Sequence, residues 1–134
     1  MIRTLNIRTR SRIEFQNVTR AVEEVVDSSH IESGVCHLFV PHTTAAVILN
    51  EQADPSVVED IAAQLEAIAP QHGDYRHSEG NAHAHIKAAL LGSSETVLVE
   101  DGRLVLGTWQ GIFFCEFDGP RSRSLLVKIV PDKP

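Results

Sequence analysis

The chain has only two cysteines, Cys36 and Cys115, and they lie far apart inside apolar runs. That spacing excludes a disulfide framework and a CxxC metal pattern, and it points to a reducing, cytoplasmic compartment. No apolar run approaches the roughly 20 residues that a membrane span needs, although 43% of the residues are hydrophobic. The opening Met-Ile-Arg-Thr-Leu-Asn-Ile lacks the apolar stretch and small-residue cleavage site of a secretory signal. Basic charge is also scarce, with 12 Lys and Arg against 18 Asp and Glu, a net of −6 with His neutral. A nucleic-acid partner is therefore not expected, because such proteins neutralise phosphates with a basic face. No Gly-rich loop joins a strand to a helix, which removes the Rossmann and P-loop readings, and HExxH is absent.

What is present fits a single domain over residues 1–134, long enough to bury a core without staples. Residues 2–8 and 12–15 alternate loosely and read as a strand or hairpin. Asn17 is placed to cap a helix in which Val18, Val22, Val25 and Val26 recur at helical spacing. Val35 to Val40 reads as an apolar strand, interrupted by Pro41 and resumed from Thr43 to Leu49. Asp54-Pro55 opens a second helix, with Val57, Ile61, Leu65 and Ile68 as its buried stripe and Pro70 as its end. A short helix is predicted from about residue 82 to 91, closed by Gly92. Strands follow at 96–99, 104–106, 112–117 and 125–130, with turns at Asp101-Gly102 and Gly119-Pro120. Strands and helices do not alternate regularly, so the class is α+β: sheets, or a sandwich, with helices on the flanks.

Three clusters carry candidate chemistry. If the strand runs through Pro41, then His42, Thr44, Ala46, Ile48 and Asn50 share one face. The plain alternative there is a satisfied histidine among β-branched neighbours. The second cluster holds His77, Glu79, Asn81, His83 and His85. Imidazole is both a common metal ligand and the side chain whose charge changes nearest neutral pH. Asn81 and His85 stand four apart on one helix face, whereas His83 points elsewhere. Asn81 as a mere cap and His83 as a merely exposed residue are the structural alternatives. In the third cluster, Glu116 and Asp118 share one face of an apolar strand, which is costly unless they are paired. Arg121 and Arg123 are the natural partners, and they offer an anion site beside the carboxylates. Trp109, the only Trp, lies between two glycines and is read either as a ligand contact or as a core or subunit contact. Cys115 falls on the strand's other face with Phe113 and Phe117 and reads as core.

Four blocks together carry a resemblance. They are His42-Thr43-Thr44-Ala45-Ala46 with Asn50-Glu51; Glu79-Gly80-Asn81 to His85-Ile86-Lys87; Gly107-Thr108-Trp109-Gln110; and Cys115 through Arg121. With the lead-in from Ser94 through Val97, Val99 and Gly102, they resemble the YjbQ-like family, in the same order from about residue 35 onward. The resemblance implies a sandwich of mostly antiparallel sheets with flanking helices, assembled as a homotrimer, with shared polar residues in one pocket. It also implies a secondary thiamine-phosphate synthase activity, which joins a pyrimidine diphosphate to a thiazole phosphate and releases pyrophosphate. Carried over residue by residue, His42, His85, Glu116 and Asp118 become catalytic. Thr44, Asn50, Glu51, Asn81, Trp109, Gln110 and Arg121 become substrate- or phosphate-binding, and His42, His77 and His85 become ligands for a divalent metal, Mg or Zn. His83 departs from the family pattern, which often has an acid there. Two other readings stay open: a metal-dependent hydrolase using histidines and a carboxylate, and a non-catalytic module that binds a small phosphorylated metabolite.

Overall fold

A computed structural model describes residues 1–133. Eight strands and three helices follow in the order β1 (Ile2–Arg8), β2 (Glu14–Asn17), α1 (Thr19–Ser29), β3 (Gly34–Phe39), β4 (Ala45–Glu51), α2 (Pro55–Ile68), α3 (Ala82–Leu91), β5 (Ser94–Glu100), β6 (Arg103–Leu104), β7 (Gln110–Glu116) and β8 (Ser122–Pro131). They form a five-stranded sheet in the order β1-β8-β3-β5-β6 and a three-stranded sheet in the order β2-β7-β4. Every pairing is antiparallel.

The alternation of β7 explains the layering. Ile112 and Phe114 face the larger sheet and join Cys36, Leu38, Val97, Val127 and the α1 valines in one core. Phe113, Cys115 and Phe117 face the other way and pack with Ala46, Leu65, Ala84 and Ala88 beneath α2 and α3. The small sheet is thus covered on both faces, which is why Gly111 through Cys115 of β7 are all buried and carry no polar side chain but the Cys115 thiol. Burial pushes the Cys36 thiol up to about 11 and the Cys115 thiol higher still, so both are inert core groups.

Local signals account for most element ends. The Asp54 carboxylate accepts the Ser56 amide at 2.9 Å, with Pro55 at the first helical position. The N-cap position of α1 falls on Val18, not Asn17, but the Asn17 side-chain Oδ1 accepts both the amide and the hydroxyl of Thr19 at the first helical position. Asp101 and Gly102 both have positive φ, which closes the β5–β6 hairpin tightly. The stripe expected on α2 is turned on the helix: Val58, Ile61 and Leu65 face the core, while Ile68 is 58% exposed. No helix among the described residues is long and apolar enough to cross a membrane.

Three times the chain leaves one sheet for the other at the same end of the sandwich. It crosses at Thr9–Ile13 between β1 and β2, at Val40–Thr44 between β3 and β4, and at Phe117–Arg121 between β7 and β8. The strand does not continue through Pro41 as the sequence suggests; β4 begins only at Ala45. The crossings pack closely, and at Gly119 a β-carbon would lie 2.2 Å from the Ser11 carbonyl oxygen. Only glycine lets those two backbones meet.

Candidate active site

The convergence of the three crossings leaves an open pocket of about 610 Å³, within the range of small-molecule sites. Its frame is a buried ion pair. Glu116, at the end of β7, is fully buried and takes the Arg123 guanidinium on both carboxylate oxygens, one of them at 2.9 Å. The same carboxylate accepts the Thr9 hydroxyl at 2.7 Å and the Asp118 amide at 3.1 Å. Arg123 continues to the Thr44 hydroxyl at 2.8 Å. One network therefore ties all three crossings together. Burial alone would raise the Glu116 carboxyl, but the hydrogen bonds from Arg123, Thr9 and Asp118 outweigh it and hold it below the usual range. Glu116 stays ionised and fully occupied, so it frames the pocket instead of reaching into it.

Above this frame lie Asp118, Arg121, Asn81, His85, Glu79 and His42. Asp118 accepts the Asn81 amide at 2.8 Å and the Arg121 guanidinium at 3.0 Å. Burial pushes its carboxyl up, and these two partners pull it further down, leaving it ionised. Asn81 therefore does not cap α3 with its side chain; it is turned toward Asp118. That orientation leaves the Asn81 side-chain oxygen, Oδ1, buried without a partner among the described residues, an acceptor lacking its donor. His42 takes the Ser124 backbone amide on Nε2 at 2.9 Å. Burial and the nearby Arg123 charge lower its pKa, against the opposing pull of Glu116.

The sequence-derived site divides. His42, Thr44, Asn81, His85, Asp118 and Arg121 line the pocket, and Glu116 braces it. Glu79 and Arg123 also line it, Arg123 having been read in the sequence as a carboxylate partner. Asn50, Glu51, Trp109 and Gln110 gather at the opposite end of the small sheet, where Asn50 pairs with Gly111 and Glu51 with Gln110. Six residues of strand separate Thr44 from Asn50, roughly 20 Å at the strand rise. Period two gives a shared face but not proximity. Trp109 is 63% exposed rather than core.

The histidines do not form the metal triad expected of them. His42 has committed Nε2 to Ser124. His77 packs edge-on against His85, with ring centres 5.2 Å apart, and leans toward Glu79 at 3.8 Å. Among the described residues no three His, Cys, Asp or Glu side chains are grouped to hold an ion. His83, for which simple exposure was one alternative, is fully buried; Lys87, itself 1% exposed, meets its Nδ1 at 2.9 Å, and Arg12 stands 3.4 Å from its Nε2. Lys87 also binds Glu66 at 2.7 Å, so this cluster fastens α3 to α2 behind the pocket wall. Burial and its two cationic neighbours lower the His83 pKa.

The whole chain can now be placed among known proteins. A family model described as UPF0047 protein YjbQ-like matches residues 3–132. The chain belongs to the YjbQ/UPF0047 family. Family members include the UPF0047 protein YugU of Bacillus subtilis, 47% identical over 97% of this chain and 99% of its own length. A UPF0047 protein of Methanocaldococcus jannaschii is 45% identical over 99% of this chain and 96% of its own. Among solved structures, a YjbQ/UPF0047 family protein from Clostridium acetobutylicum superposes with a TM-score of 0.93 at 49% identity, covering 95% of this chain and 98% of that one. A YbjQ-like protein of Sulfolobus solfataricus gives 0.94 at 36% identity, over 98% and 97%. The family likeness thus extends to the α+β architecture. None of these relatives carries the name of a reaction.

Proposed function

We propose that the pocket binds a phosphorylated metabolite and that the protein is a small group-transfer enzyme resembling secondary thiamine-phosphate synthases. In that reaction a pyrimidine diphosphate is joined to a thiazole phosphate and pyrophosphate leaves. One observation carries the reading: an arginine, Arg121, is held by Asp118 at the mouth of a pocket that also contains two histidines. A diphosphate leaving group needs positive charge and directed donors where its own negative charge develops. Arg121 keeps N–H groups beyond the two it gives to Asp118. His85, which lines the same pocket, is the group assigned to hold or move a proton in this reading. The lining carries two arginines against Glu79 and Asp118. Net charge is therefore balanced, and affinity for an anion rests on aimed hydrogen bonds.

The decisive experiment incubates purified protein with both thiamine precursors in a magnesium-containing buffer and measures pyrophosphate release. The expected result is turnover that falls at least tenfold in Arg121→Ala and His85→Ala while both variants keep the wild-type melting temperature. Equal rates in wild type and His85→Ala overturn the assignment of the site. Binding of the phosphates without turnover assigns the protein to the non-catalytic, metabolite-binding class. A metal-dependent hydrolase has no donor cluster behind it among the described residues.

Homotrimer assembly in the cytoplasm belongs to the same proposal. The support for assembly is the set of exposed apolar side chains Ile68, Leu90, Leu98, Val105 and Trp109. Sedimentation at working concentration tests the trimer directly.

A further inference from the structure

His42 has a constraint that most pocket histidines lack. The β3–β8 ladder ends at the pair Phe39 and Leu126. Continued by two residues, it would set Pro41 opposite Ser124, and there the chain departs for the small sheet. The Ser124 amide is left without a strand carbonyl, and the His42 imidazole takes that place, accepting it on Nε2 at 2.9 Å. A backbone amide can only donate, so Nε2 must present its lone pair. The neutral ring then carries its one hydrogen on Nδ1. Protonating Nε2 would set two donors against each other and orphan the amide, a penalty that comes with any positive charge on this ring. Arg123 of β8 stands nearby and also disfavours that charge; Glu116 of β7 favours it but is saturated by its own partners. Nδ1 has no partner among the described residues, and it is not among the buried unpartnered atoms. It is therefore reachable from the pocket that His42 lines.

We propose that His42 is a neutral hydrogen-bond donor of fixed tautomer, which selects ligands that place an acceptor oxygen at Nδ1. It is a specificity residue, and it acts neither as a general base nor as a metal ligand. The matching ligand group is a phosphoryl or carboxylate oxygen; an amine or a bare metal cation finds no lone pair there. Choosing the phosphoryl oxygen rests on the phosphate reading above. Together with Arg121 this gives the pocket one charged and one uncharged donor for the same anion.

The test uses the intact protein and inorganic pyrophosphate. Nitrogen-15 NMR of the imidazoles at pH 7.5 should show His42 protonated on Nδ1 and bare on Nε2, and pyrophosphate should shift its Nδ1–H signal. His42→Ala should weaken pyrophosphate binding about tenfold, whereas His42→Asn, which keeps an N–H donor near the Nδ1 position, should stay within about threefold. Should the alanine variant fail to fold, the wild-type spectrum and the asparagine variant still decide. A hydrogen on Nε2, or a charged ring at that pH, overturns the proposal whether or not pyrophosphate binds. So does pyrophosphate binding that leaves the His42 signal unmoved and the His42→Ala affinity unchanged, in which case the phosphate reading stands without it. A wild-type protein that shows the Nδ1 hydrogen but binds no pyrophosphate brings down the phosphate reading, and the phosphoryl assignment falls with it.

Discussion

The two ends of the small sheet are both rich in polar residues, yet they use them differently. At the far end the side chains of Asn50, Glu51 and Gln110 each accept a backbone amide one, two or three residues away. Those bonds shape their own turns, and beside them Gln52 adds longer ties, to Asn17 over 35 positions and to the Gln110 carbonyl over 58. At the crossing end Thr9 reaches Glu116 over 107 positions, Arg123 reaches Thr44 over 79, and His42 reaches Ser124 over 82. Those bonds hold separate segments around a space. Polar residues that satisfy themselves locally are turn chemistry. Polar residues that must be satisfied from across the chain enclose a site and keep groups turned into it.

Substitutions can break or sharpen this contrast. The largest effect should come from Glu116→Gln, which leaves the buried Arg123 charge without its carboxylate. Loss of about 3–5 kcal/mol of stability is expected, read as a lower urea midpoint. Replacing both partners with apolar residues, Glu116→Leu with Arg123→Met, should cost much less, because no lone buried charge remains.

Acid should act next, and on the crossing end and the α2–α3 clasp before the far end. His42 and His83 both have pKa values below their ordinary 6.5 in the folded chain. Their contribution is fully present above pH 6.5 and is lost as the pH falls toward their folded values, since the unfolded chain binds those protons first. Glu116 and Asp118 add a second loss below 4.5 and 3.8, their ordinary values, for the same reason. The melting temperature should therefore fall in two stages on acidification. His83→Asn should flatten the first stage; an unchanged profile would remove His83 from the account.

The smallest effects belong to the far end. Asn50→Ala and Trp109→Ala should change stability by about 0.5 kcal/mol or less, as surface positions do, and leave phosphate binding unchanged. If Trp109→Ala weakens binding as much as Arg121→Ala, the two ends work together between copies of the chain, and the contrast fails.

Local chemistry made much of this fold readable. Asp54-Pro55 marked the start of α2, Gly92 the end of α3, and the alternation in β7 separated the residues of the two cores. The pairing of Glu116 and Asp118 with arginines followed from the cost of leaving carboxylates in an apolar strand. The family blocks named the polar residues but could not sort them, because a run such as His42 to Asn50 spans the whole length of a strand and serves both its ends. The burial of His83 was hidden for another reason. Its partners, Arg12 and Lys87, come from a loop 71 residues away and from its own helix, and only tertiary packing brings them together around the ring. The turned stripe of α2 belongs to the same class, since Val57 and Val58 are equally apolar and packing alone chooses between them.

The crossing of three segments at one end also bears on when the pocket can exist. Thr9 lies in the first strand's continuation, while Arg121, Arg123 and Ser124 come with the last strand. The ion pair of the frame joins residues seven apart, but its bonds to Thr9 and Thr44 span 107 and 79 positions, so a growing chain cannot complete the frame until the last strand is made. Closing such distant contacts is the slow part of folding. The pocket should appear together with the docking of β8 between β1 and β3. A ligand that binds it would in turn report that this strand is in place.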